Sequence, residues 1–122
     1  PAGQVIQETG VTMDIFPTFL KWAGGSASGR DGTDVSAMLT AKAASPHEEL
    51  FWEYQGQLAL RRGPWKLMLG PKEGLGDNAI APKWLSNLKD DPREQRNWLD
   101  AEPAVARDLE ARLLEWKKRL GA

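Results

Sequence analysis

Residues 50–54, 58–62 and 65–69 are three short runs rich in aromatic and aliphatic side chains, separated only by Gln55-Gly56-Gln57 and Gly63-Pro64. Breaks this short leave room for tight turns and nothing else, so the spacing predicts two consecutive β-hairpins. Pro64 falls at a turn or strand start, where its missing N–H costs no ladder bond. In the third run Trp65, Leu67 and Leu69 alternate with Lys66 and Met68, so one face of the sheet is expected to meet a core.

What surrounds this meander completes a fold class. Residues 84–88 supply a fourth, shorter strand after a glycine- and proline-rich loop, 70–82. From Pro103 onward, Val105, Leu109, Leu113, Trp116 and Leu120 fall on one helical stripe, with Lys117, Lys118 and Arg119 at the negative end of the dipole. Upstream, Ile15, Phe16, Phe19, Leu20 and Trp22 predict a short amphipathic helix over 11–23, begun by Thr12 or Asp14 and ended by Gly24-Gly25. Pro17 is compatible with that helix only in its first turn. The apolar arc is wide for so short a helix, which implies burial on more than one side. The expected class is α+β: a small four-stranded antiparallel sheet packed against a long C-terminal helix, preceded by a short N-terminal helix.

Several functions are excluded or weakened by composition. With 122 residues the chain suits one compact core. Sixteen basic and seventeen acidic residues are interspersed along it, which argues against nucleic acid as a partner, since phosphate binding needs a clustered cationic face. No cysteine is present, so disulfides, Cys-ligated zinc and a thiol nucleophile are unavailable. No apolar run reaches the roughly 20 residues of a membrane helix. A start at Pro1 without Met reads as a segment of something longer.

Individual residues were weighed for chemistry. His47, the single histidine, stands beside Ser45, Glu48 and Glu49, yet a lone His after Pro46 in a polar loop is expected to be solvent-exposed and not a general base. Asp31 with Asp34, and Asp90 with Asp91, lack the alternating oxygen ligands of a calcium loop and read as turn formers. Trp22, Trp65 and Trp116 are assigned to core faces, whereas Trp52, Trp84 and Trp98 are left open between core and sugar stacking. Arg61, Arg62 and Lys66 together would attract an anionic ligand, but Arg61 and Arg62 are neighbours in a strand and point to opposite faces, so they do not make one anion fork, and a solvated or ion-paired edge is expected.

An ordered set of local motifs spans nearly the whole chain. Pro1-Ala2-Gly3 is followed by Asp14-Ile15-Phe16-Pro17-Thr18-Phe19-Leu20, Ala23-Gly24, Asp31-Gly32-Thr33-Asp34-Val35 and Leu50-Phe51-Trp52-Glu53. Then come Ala59-Leu60-Arg61-Arg62-Gly63-Pro64-Trp65-Lys66-Leu67, Leu85-Ser86-Asn87-Leu88, Asp91-Pro92-Arg93-Glu94 and Asn97. In this order they resemble the C-terminal subdomain of the type I, arylsulfatase-like sulfatases of the alkaline-phosphatase superfamily.

That resemblance implies residues 1–32 as the last helix and linker on the catalytic-domain side and 33–122 as the subdomain proper. It implies a partner, the N-terminal catalytic domain of the same polypeptide, carrying calcium and a formylglycine made from Cys or Ser in a Cys/Ser-x-Pro-x-Arg signature. This chain has no Cys and no Ser followed two positions later by Pro, so it is expected to be inactive alone, with neither catalytic nor metal residues. Gln55, Gly56 and Arg61, with the 70–82 loop, are then expected at the rim of the cleft for a sulfated small molecule or glycan. Export to the periplasm or outside the cell is a further expectation, and an uncovered apolar face makes the isolated segment a candidate for dimerisation. Two other readings stand beside this one. A free-standing aromatic glycan- or protein-binding module requires Ile15, Phe16, Phe19, Leu20 and Trp22 to be buried within the chain; a related phosphoryl-transfer enzyme differs only upstream.

Overall fold

A computed structural model of the protein describes residues 3–29, 31–70 and 81–121. The chain divides into two compact units, Pro1–Glu48 and Glu49–Ala122. Most of the 70–82 loop, residues 71–80, lies outside the described residues.

In the second unit four strands, β1 (Glu49–Tyr54), β2 (Gln57–Arg62), β3 (Trp65–Leu69) and β4 (Lys83–Asn87), form an antiparallel sheet in sequence order. Gln55 and Gly56 both have positive φ, 49° and 80°, as a two-residue turn that follows the sheet's twist requires. The β2–β3 turn reaches the same end differently: Gly63 has φ 54° and Pro64 fixes the next residue. These turns set the register, with Ala59 opposite Trp52 and Met68, and Arg61 opposite Leu50 and Lys66.

Alternation then separates the faces. Leu60, Leu67 and Leu85 project to one side, where Leu109, Leu113 and Ala106 of α3 (Pro103–Arg119) bury them. Phe51 stacks on Trp116 with ring centroids 5.1 Å apart, and Trp65 meets Trp98 edge-on at 6.0 Å. Trp65 and Trp116 thus take the core positions that periodicity assigns them, and Trp84 is buried as well. Leu120 does not: it follows the last turn of α3 and is 55% exposed, because the stripe outruns the helix. Ion pairs flank the helix, Arg112 to Glu49 at 2.8 Å and Lys117 to Glu53 at 2.7 Å.

The outer edge of β4 is closed by the segment that precedes α3. Asn97 Oδ1 accepts the Leu85 N–H at 3.1 Å, its Nδ2 donates to the Lys83 carbonyl, and the Trp98 N–H donates to the Leu85 carbonyl at 2.8 Å. An edge satisfied in this way offers no template for a further strand.

The first unit contains a 3-10 turn (Thr12–Asp14), α1 (Ile15–Trp22) and α2 (Ser36–Ala41). Pro17 is the third residue of α1, among the N–H positions that have no intrahelical acceptor. Gly24, with φ 81°, ends the helix, and the Gly25 N–H returns to the Leu20 carbonyl at 2.9 Å.

Candidate functional site

The helix α1 packs in the reverse of the usual sense. Its buried residues are Pro17 and Thr18, next to the buried Asp14, while Ile15, Phe16, Phe19 and Trp22 are 54%, 57%, 60% and 53% exposed. Asp14 and Thr18 are buried because they fasten the backbone. Asp14 accepts the N–H groups of Val11 and Thr33, both at 2.9 Å, and Thr18 Oγ1 accepts the Val35 N–H at 3.0 Å. The polar face is therefore used inward, and the wide apolar arc that implied burial on several sides is turned out. Trp22 is corrected accordingly: it is not a core residue of this chain, and it forms a surface patch with Phe19, ring centroids 5.6 Å apart. A contiguous apolar surface of this kind is characteristic of an interaction face.

His47 is also corrected. It is not solvent-exposed; its side chain is 14% exposed and Nε2 lies 2.7 Å from Asp14 Oδ2. A carboxylate so enclosed needs every donor within reach, and His47 supplies the third. Burial pushes the Asp14 carboxyl up, but the N–H groups of Val11 and Thr33 and the His47 ring together outweigh it and hold the pKa below its ordinary value. Ser45 Oγ, the neighbouring hydroxyl, donates to the Thr9 carbonyl and accepts the backbone N–H of His47.

Asp34, Asp90 and Asp91 each hold local backbone or side-chain donors. Asp34 Oδ1 accepts the backbone N–H and hydroxyl of Ser36, which lowers its pKa. Asp91 accepts the Arg96 N–H at 2.8 Å, and Asp90 accepts from the Asn87 side chain at 2.9 Å.

On the second unit, the sheet face opposite α3 carries a groove of ≈ 430 Å³, bordered by Trp52, Tyr54, Ala59, Arg61, Lys66 and Glu94 among others. Small Ala59 forms its floor between Trp52 and Met68, its cross-strand neighbours. Glu94 closes one side, accepting from Lys66 Nζ at 2.7 Å and from the buried Ser86 hydroxyl at 2.9 Å. Arg61 sits on this face, whereas Arg62 lies on the other, 3.4 Å from Glu49 and 3.5 Å from Asp108. Gln55 and Gly56 occupy the exposed β1–β2 turn, with Gln55 Nε2 donating to the Tyr54 hydroxyl at 3.1 Å. Five residue steps, about 17 Å of strand, separate Gly56 from Arg61, so one hairpin carries all three residues expected at the rim without bringing them together.

No family model matches the sequence. Among solved structures, Ps i-CgsB shares the fold with a TM-score of 0.71 at 22% identity, over 95% of this chain and 26% of its own. A Bacteroides thetaiotaomicron 6S-sulf protein, from work on glycosaminoglycan metabolism, aligns with a TM-score of 0.62 at 21% identity, over 86% of this chain and 24% of its own. BT4656, in complex with its substrate D-glucosamine-2-N,6-O-disulfate, gives 0.61 at 23% identity, over 86% and 23%. The chain has the fold of a sulfatase C-terminal subdomain. It spans about a quarter of the length of the sulfatase structures it matches.

Among the described residues no three His, Cys, Asp or Glu side chains gather as a calcium site would require, and the sequence has no Cys for formylglycine. The motif Asp91-Pro92-Arg93-Glu94 with Asn97 has a structural task, since Glu94 anchors the open sheet face and Asn97 closes the β4 edge. Sequence reasoning missed the Asp14–His47 pair, and although it grouped Lys66 with Arg61 and Arg62 as anion-attracting residues, it did not see that Arg61 and Lys66 are cross-strand partners. Register held the second signal: once the Gly63-Pro64 turn is two residues long, Arg61 must face Lys66.

Proposed function

We propose that this chain is the terminal part of a sulfuric ester hydrolase acting on a sulfated saccharide. It completes the fold and borders the substrate cleft, while the catalytic centre is carried by an upstream domain. The observation that carries this reading is the fold match itself, which accounts for nearly all of this chain and only a quarter of each sulfatase. The outward face of α1 supports it, since four large apolar side chains turned to solvent call for a covering domain. The same exposure counts against a free-standing binding module, which would have buried them. Ps i-CgsB has been solved with k-i-k-neocarrahexaose, and BT4656 has a sulfated glucosamine as substrate, which supports a saccharide over a simple aryl ester.

In this role the β1–β2 turn with Gln55 and Gly56, and Arg61 further down the hairpin, tune substrate choice and break no bond. Calcium and formylglycine belong to the upstream domain. The test is the parent gene upstream of Pro1: a Cys/Ser-x-Pro-x-Arg signature and Asp-rich metal motifs are expected there. A stop codon, an unrelated domain, or a Thr or Ser nucleophile of phosphoryl-transfer type in place of that signature overturns the reading. Turnover of an aryl sulfate by the 122-residue chain alone, with calcium, would refute the division of labour.

A further inference from the structure

The open face of the sheet holds an electrostatic imbalance. Arg61 and Lys66 are direct cross-strand partners on the same side of the sheet, and like charges at such positions repel. Lys66 is neutralised by Glu94 at 2.7 Å. Arg61 is not: its Nε makes a long bond to the Gly63 carbonyl at 3.4 Å, and no carboxylate among the described residues pairs with it. A solvent-accessible guanidinium beside a second cation thus borders the groove with most of its planar donor fork unused.

The rest of the groove is suited to a ring. Trp52 and Tyr54 follow each other at alternate positions of β1, so both rings rise from one face. They are 39% and 68% exposed, and the floor between Trp52 and Met68 is only the methyl group of Ala59. An apolar wall, a shallow floor and one unmatched planar cation select a ligand with a flat apolar face and an anionic substituent at its edge.

We infer that this groove binds one sulfated sugar unit, with Trp52 stacking on the ring and Arg61 pairing with the sulfate. The Lys66–Glu94 pair is the positioning element: it holds Lys66 away from Arg61 and fixes the side wall. The choice of a sulfated sugar rests on the reading of the parent as a saccharide sulfatase, but binding can be measured without turnover.

The test is titration of the 15N-labelled chain with galactose 6-sulfate and with N-acetylglucosamine 6-sulfate, set against the unsulfated sugars and inorganic sulfate. The indole N–H resonance of Trp52 is expected to shift on addition of a sulfated sugar, while those of Trp65, Trp98 and Trp116, on the α3 side, stay fixed and report an intact fold. Arg61→Ala and Trp52→Ala should each weaken binding by about tenfold or more, with Arg61→Lys recovering part of it. Arg107→Ala, which removes an exposed charge from α3, should change nothing.

No Trp52 shift with either sulfated sugar overturns the inference, and so does equal affinity for inorganic sulfate, or an equal loss in Arg107→Ala. It also falls if Arg61→Ala leaves sugar binding intact but weakens docking of the upstream domain, since the missing anion is then a protein carboxylate. Failure here with sulfate-ester turnover by the intact protein leaves the proposed function standing; binding here without a formylglycine signature upstream removes that function and keeps the groove.

Discussion

The two units of this chain are held together by different forces. In the second, Leu60, Leu67, Leu85 and Leu113 are fully buried between a sheet and a helix, and its ion pairs lie around that core. Among the described residues of the first, Val35 and Met38 are buried hydrophobic side chains beside Pro17, and its centre is a carboxylate that ties residues 11, 33 and 47 together. Its best apolar surface points outward. A unit with a dry core keeps its stability when isolated, whereas one built on a few charge-assisted hydrogen bonds relies on whatever covers its apolar face.

That contrast is open to direct challenge, and the largest effect should come from the dry core. Leu113→Ala is expected to cost about 3 kcal/mol, read by urea denaturation, with amide exchange in residues 3–48 unchanged. Simultaneous loss of protection in both units would break the comparison. Next, Asp14→Ala strands three donors and should cost about 2–3 kcal/mol, confined by hydrogen exchange to the first unit. Gly32→Ala should come close behind, at about 2 kcal/mol. Gly32 has φ 83°, and a Cβ there would stand 2.1 Å from the Met13 carbonyl oxygen, beside the Asp14 loop.

Acid sharpens the contrast further. The Asp14 pKa is lower in the folded chain than in the unfolded one, so the stability it contributes is whole above the unfolded value of about 3.9 and is lost as pH falls through the folded value. Protection factors in the first unit, corrected for the intrinsic exchange rate, should therefore fall on acidification below about pH 4, before those of the second unit, and Asp14→Asn should flatten that dependence. The smallest effect on stability belongs to the exposed helix face. Phe16→Ser with Phe19→Ser should stay within about 0.5 kcal/mol of the parent while reducing self-association in sedimentation velocity. A large loss of stability would mean that the face is covered by the chain itself.

Much of the second unit was legible from local chemistry. The Gln55-Gly56 and Gly63-Pro64 turns, the alternation of Trp65, Leu67 and Leu69, and the stripe through Leu109, Leu113 and Trp116 each encode a short-range preference. Strand and helix periods act over a few residues, and here they agree with one another. Trp22 and His47 were misread for a common reason. A helical period shows that one side of α1 is apolar, but it does not say whether that side meets this chain or another surface. Nor does it show that a carboxylate at residue 14 will need a donor from residue 47.

By itself, then, the sequence determined the four strands, the helices α1 and α3, the β1–β3 register and the face that α3 covers, because all of these follow from turn length and side-chain period. Only the tertiary structure decided that α1 turns its polar side inward, that His47 completes the shell around Asp14, and that Glu94 pairs with Lys66 and not with Arg61. Each of those outcomes depends on which donors and charges distant segments bring within hydrogen-bonding reach, and that distance is written nowhere along the chain.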